Sequence, residues 1–154
     1  MPVVVTGAGL PLGRALLAAL ADQAALAGPG VPDLRAVVRD RADAAALRAS
    51  GVRVSVGDLS DPLRLGAVLE GAYTVVHLDT GPDGAGSPLD TWEWLLDAAE
   101  DTGLRRIVTV VPYGALVPEI SLYDTVFLPG EIRGATGTPD AALVARLVAA
   151  DGRR

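Results

Sequence analysis

Three features of this 154-residue sequence predict an α/β protein, a doubly wound three-layer sandwich built on a mostly parallel sheet of about six strands. Short β-branched runs alternate with Ala- and Leu-rich segments of helical period along the whole chain. The β runs, such as VVV, AVV and IVTVV, are apolar on both faces, as parallel strands are when helices cover them above and below. A glycine turn stands between the first strand and the first helix.

Taken in order, a strand at 3–6 runs into that turn, and Pro11 suits the first turn of a helix over 11–26. Gly28-Pro29-Gly30 is a loop, followed by a strand at 34–38, a helix at 41–49 and a strand at 52–56. Asp61-Pro62 is a cap and a first helical residue, opening a helix at 62–69 ahead of a strand at 74–78. The glycine-rich stretch 81–86 is a loop before a helix at 89–101. In that helix Trp92 is in phase with Leu95, Leu96 and Ala99 and belongs to the core, whereas Trp94 points elsewhere, toward a pocket or a partner. A strand at 106–111 is joined to one at 125–128 by about a dozen residues, near the minimum for a parallel crossover. A last helix covers 140–150. Nothing in this pattern marks a second domain, so residues 1–154 are read as one.

The composition removes several classes of chemistry. Half the residues are hydrophobic, which is too many for a disordered chain, and there is no Cys for a disulfide framework or a thiolate site. All 13 basic residues are Arg, so Schiff bases and every mechanism built on a Lys are excluded. One His cannot build a multi-His metal site. A net charge of −6 and a pI near 4.6 disfavour nucleic-acid binding, which needs a basic face. The longest apolar stretch, 15–21, is far too short to cross a bilayer, and no secretion signal precedes the first strand, so no membrane role and a cytoplasmic location are expected.

The sharpest motif is VVVTGAGLPLGR at 3–14. Glycine lets the backbone approach a pyrophosphate, and the helix N-terminus turns unpaired amides and the positive end of its dipole toward that charge. With AVVRD at 36–40, GDLSDP at 57–62, VVHL at 75–78, LLDAAEDTGLRRIVTV at 95–110 and TVFLPGEIRG at 125–134, the sequence resembles the short-chain dehydrogenase/reductase superfamily. The likeness is to its extended and atypical branches, which include sugar-nucleotide epimerases and NmrA-like proteins, and it implies a Rossmann-like fold and a nicotinamide dinucleotide. On this resemblance Gly7, Gly9 and Gly13 line the pyrophosphate. The pattern TGxxGxxG would want glycine at Leu10, and GxGxxG would want it at Leu12, so each template loses one. Arg39 stands where NAD-preferring relatives carry an acid, which favours NADP(H) over NAD(H), with Arg14 assisting. Its plainer alternative is a solvated residue paired with Asp40 or Asp43. Asp58 matches the acceptor of the adenine amino group, or else caps a loop.

The family's usual acid, a Tyr with a Lys four residues later, cannot exist without Lys. Its nearest match, Tyr123, is followed four residues on by Phe127, and the usual Ser position reads Val111-Pro112-Tyr113. Asp79 replaces a small residue after the fourth strand, where a carboxylate opposes a pyrophosphate or serves as a free acid or base. Candidate acid/base groups at the strand ends are therefore His77, Asp79, Tyr113, Tyr123 and Glu131, with Tyr113 preferred and His77 read mainly as a core residue. Three functions stay open: an atypical NADP(H)-dependent oxidoreductase or epimerase-like enzyme on a small molecule, a non-catalytic NADP(H)-sensing module, and a cofactor-independent isomerase, cyclase or lyase. A fold pared to its nucleotide-binding core leaves apolar surface uncovered, so a homodimer is expected.

Overall fold

The computed structural model describes residues 2–28, 33–81, 86–112, 114–118, 122–130, 141, 144–146 and 148. Its centre is a six-stranded sheet of β1 (Val3–Thr6), β2 (Leu34–Val38), β3 (Arg53–Val56), β4 (Thr74–His77), β5 (Arg106–Val111) and β6 (Asp124–Pro129). The order is β3-β2-β1-β4-β5-β6, with every neighbouring pair parallel. Helices α1 (Pro11–Ala27), α2 (Arg41–Ala49), α3 (Pro62–Leu69) and α4 (Trp92–Ala99) cover it.

Two cores follow from the two-residue period of a strand. Val5, Val76 and Val108 face one side, under Leu16 and Leu20 of α1 and Leu47 of α2, where the helical residues 144–146 and 148 also contribute Val144, Ala145 and Val148. Their neighbours Val4, Val75 and Ile107 face the other side, under Leu65 and Leu69 of α3 and Trp92 and Leu95 of α4. Trp92 lies edge-on to His77 and 5.5 Å from Phe127 between ring centres, while Trp94 is 39% exposed, as their helical phase predicts.

The predicted boundaries mostly hold. Asp40 caps α2 through the amide of Ala42 at 2.9 Å, and Asp61 caps α3 through that of Arg64 at 3.2 Å. The helix expected over 89–101 is instead a 3-10 turn, Pro88–Thr91, followed by the shorter α4. Ser87 and Asp90 close a reciprocal capping box around Pro88, which tightens the first turn. At the far end Glu100 is extended and Asp101 takes a positive φ of 59°, so the helix stops at Ala99.

Candidate dinucleotide site

The end of β1 becomes a phosphate-type cradle through two glycines. Gly7 turns at φ 63°, and a Cβ there would fall 2.7 Å from the backbone of Leu78 and Asp79, so only glycine lets the chain leaving β4 pass this close. Gly13 seats α1 on the turn, since its Cβ would fall 2.6 Å from the Gly7 carbonyl oxygen. Leu10 N-caps α1 with no side-chain hydrogen bond, and no acid stands in the first turn. The helical ladder begins with the Arg14 amide donating to Leu10 at 3.0 Å, and Pro11 has no N–H. The amides of Leu12 and Gly13 therefore precede the ladder, at the end of a helix where an anion is favoured. Gly9 makes a softer contact, with the side chain of Asp43, which also ion-pairs Arg14. Arg14 thus stands at this mouth, already engaged by a carboxylate.

Arg39 follows β2 and points across the turn. Its Nε and Nη2 donate to the two carboxylate oxygens of Asp79 at 3.0 and 2.9 Å, and Nη1 lies 3.4 Å from Asp58. Burial opposes the Arg39 charge, but Asp79 and Asp58 outweigh it and raise its pKa above the usual value. Asp58 accepts from the Ser60 amide at 2.8 Å, a contact that leads in holding its carboxyl below the usual range, with Arg39 adding to it. Asp79 is 3% exposed and also accepts from the Gly81 amide at 2.9 Å. The plainer partners named for Arg39 are taken up elsewhere, Asp40 by the α2 cap and Asp43 by Arg14.

Beneath the turn runs a buried polar chain. The Thr6 hydroxyl accepts from the amides of Leu78 at 3.0 Å and Asp79 at 3.3 Å, which commits its proton to His77 Nδ1 at 2.8 Å. The imidazole proton then sits on Nε2, facing the Pro88 carbonyl at 3.0 Å and the Thr91 hydroxyl at 2.9 Å. Thr91 donates in turn to the Asp79 carbonyl, and Thr109 to that of His77. Burial lowers the His77 pKa to about 4 against the pull of Asp79, so the ring is neutral at pH 7. His77 is a brace, with both nitrogens engaged inside the protein.

Gly7, Gly9, Gly13, Arg14, Arg39, Asp58 and Asp79 thus gather where β1, β2, β3 and β4 end. Tyr123 does not join them. It precedes β6, and because β6 runs parallel to the others its start lies on the opposite edge of the sheet. There it packs against the α3/α4 core, and burial, with Glu100 and Asp101 nearby, raises its phenol pKa. Tyr113 and Glu131 lie outside the described residues. Sequence reasoning missed Thr6 and the Arg39–Asp79 pair. Thr6 carried a signal, being the polar residue closing an all-valine strand; the ion pair joins residues 40 positions apart and carried none. Among the described residues no group of three or more His, Asp or Glu is placed to hold a metal ion.

The residues present fit a dinucleotide, with two glycines seating α1, its leading amides uncapped, and a guanidinium beside the turn. Residues 7–129 match the family described as NAD(P)H-binding. No curated protein matches significantly. Among solved structures, the triphenylmethane reductase of Citrobacter sp., complexed with NADP(H), is 25% identical with a TM-score of 0.55, covering 71% of this chain and 37% of that one. An anaerobillin reductase from Escherichia coli is 20% identical with a TM-score of 0.70, covering 99% and 90%. A Rossmann-fold NAD(P)-binding protein from Shigella flexneri is 19% identical with a TM-score of 0.66, covering 96% and 84%. This chain is accordingly shorter than the first of these reductases, spanning little more than a third of it. With the glycine turn, the parallel sheet and the family match in agreement, the chain belongs to the NAD(P)H-binding family, in the atypical branch of the short-chain dehydrogenase/reductase superfamily.

Proposed function

We propose that this protein is an NADP(H)-dependent reductase of a small, electron-poor molecule. The observation that carries the reading is the uncapped start of α1, seated by Gly13 on the Gly7 turn, with Arg39 beside it as the group for a 2′-phosphate. When bound, the cofactor supplies hydride. The chain's own part is to hold the pyrophosphate on the Leu12 and Gly13 amides and to fix the adenosine end with Arg39 and Asp58.

The chemistry of the acceptor follows from what the chain lacks. Without Lys there is no Tyr-Lys acid, and in the cofactor-free protein the carboxylate of Asp79 is bound on both oxygens. A substrate suited to such a site accepts hydride at a cationic or conjugated carbon and takes any proton from water. The names of similar structures, a triphenylmethane reductase and a quinone oxidoreductase, belong to acceptors of that kind and support this choice. The same engaged Asp79 argues against a cofactor-free acid/base enzyme built on it. It lends some weight to a second reading, a module that binds NADP(H) and reports its level to a partner.

Calorimetric titration with NADPH, NADP and NADH tests the proposal. Micromolar NADPH binding, weakened at least about tenfold in Arg39→Ala, is the expected result. Turnover of a cationic dye or quinone with deuterated NADPH, with the label found in the product, then separates reductase from sensor. Absence of binding at millimolar nucleotide would end both readings.

A further inference from the structure

Arg39 leaves β2 and Asp79 leaves β4, the two strands that flank β1, so their ion pair passes over the end of β1 where Gly7 turns. A dinucleotide whose pyrophosphate rested on the start of α1 would carry its adenosine half toward this pair. The pair is bidentate, and it uses the guanidinium edge formed by Nε and Nη2. A planar guanidinium edge fits a carboxylate or a phosphate with the same two-pronged geometry, and it cannot hold both at once.

We infer that Asp79 is an internal stand-in for the 2′-phosphate. It keeps Arg39 positioned in the free protein and gives way to the phosphate on binding, and it thereby sets the discrimination between phosphorylated and unphosphorylated dinucleotides. This deepens the NADP(H) reading above and rests on it. Entry of the phosphate leaves a buried carboxylate with the Gly81 amide but without its cation, a cost that the phosphate contacts must exceed. Asp58 adds a second, weaker competitor at 3.4 Å, with its side chain half exposed. A dinucleotide with a free ribose diol asks for no such exchange. On this account Arg39 does not by itself make the site selective for NADP(H), because two carboxylates already neutralise it.

The decisive comparison is Asp79→Asn, which keeps an oxygen for the Gly81 amide and removes the competing charge. NADPH should bind at least about tenfold more tightly to the variant by calorimetry, while the Kd of NADH shifts by less than about threefold. Equal gains for both nucleotides, or weaker NADPH binding, would overturn the exchange and leave the reductase proposal standing. If neither nucleotide binds wild type or variant, the functional reading falls and the exchange with it.

Should the variant fail to fold, the wild-type protein supplies the answer by NMR. The Arg39 Nε–H signal, identified by its loss in Arg39→Lys, should move on adding adenosine 2′,5′-bisphosphate and stay in place on adding 5′-AMP at equal occupancy. Equal movement with both would refute the role of Asp79.

Discussion

His77 shows how a residue with catalytic chemistry is turned to structural use. A lone His at the end of an apolar strand near a nucleotide crevice invites an acid/base role. Its surroundings give it another, since Thr6, Pro88 and Thr91 occupy both ring nitrogens and burial lowers its pKa from 6.5 to about 4. In the unfolded chain the ring titrates near 6.5, so between pH 6.5 and 4 the unfolded state takes up a proton that the folded state refuses. Stability is therefore complete above pH 6.5 and falls as the pH drops toward 4, by about 3 kcal/mol in all. Asp33 and Asp58, whose carboxyls lie below their usual value, lose their contributions only at lower pH, outside this window. Urea titrations across the range should show the decline in the wild type and a flat profile in His77→Gln. A flat wild-type profile would mean that the ring ionises freely inside the fold. At this scale the sequence was legible where a role depends on one residue's own conformation or neighbours. Gly7, Gly13 and the Asp61 cap were readable in this way, and the partner of Arg39, fixed by strand order, was not.

The helices show why boundaries are read less well than periods. The apolar phase of Trp92, Leu95 and Ala99 survives intact in α4, yet the helix begins three residues later than its pattern because a capping box and a proline upstream favour the tighter turn. α1 carries the opposite lesson, for it starts without a capping side chain where Asp40 and Asp61 cap α2 and α3; α4 also lacks one but follows directly on its 3-10 turn. A stable helix end has been left unfinished where an anion would complete it. Leu10→Asp should therefore raise stability by about 1 kcal/mol through a new cap, as seen in thermal unfolding. The same carboxylate would take the first-turn amides and repel a pyrophosphate, so NADPH affinity should fall at least about tenfold. Retained affinity in a stabilised variant would show that these amides do not hold the cofactor.

For the whole molecule, strands apolar on both faces, alternating with segments of helical period, were enough to foresee a parallel sheet with helices on either side, since parallel strands are characteristically covered above and below. The described part of the short 112–123 connection contains no helix, in keeping with the little room expected there. What the pattern did not reveal is the place of β1 in the middle, between β2 and β4, where the chain reverses its direction of travel across the sheet. That centre joins segments made far apart in time: Thr6 meets His77 across 71 positions, whereas β1 meets β2 after about half that stretch of chain. A chain emerging from the ribosome can assemble β1, β2 and β3 first, but the valines of β1 keep one edge unsatisfied until β4 arrives. The nascent half-sheet thus carries an unpaired apolar edge, and closing the β1–β4 seam, the longest-range pairing of the sheet, is expected to limit refolding, which stopped-flow measurements on Val75→Ala would test through a slowed folding rate.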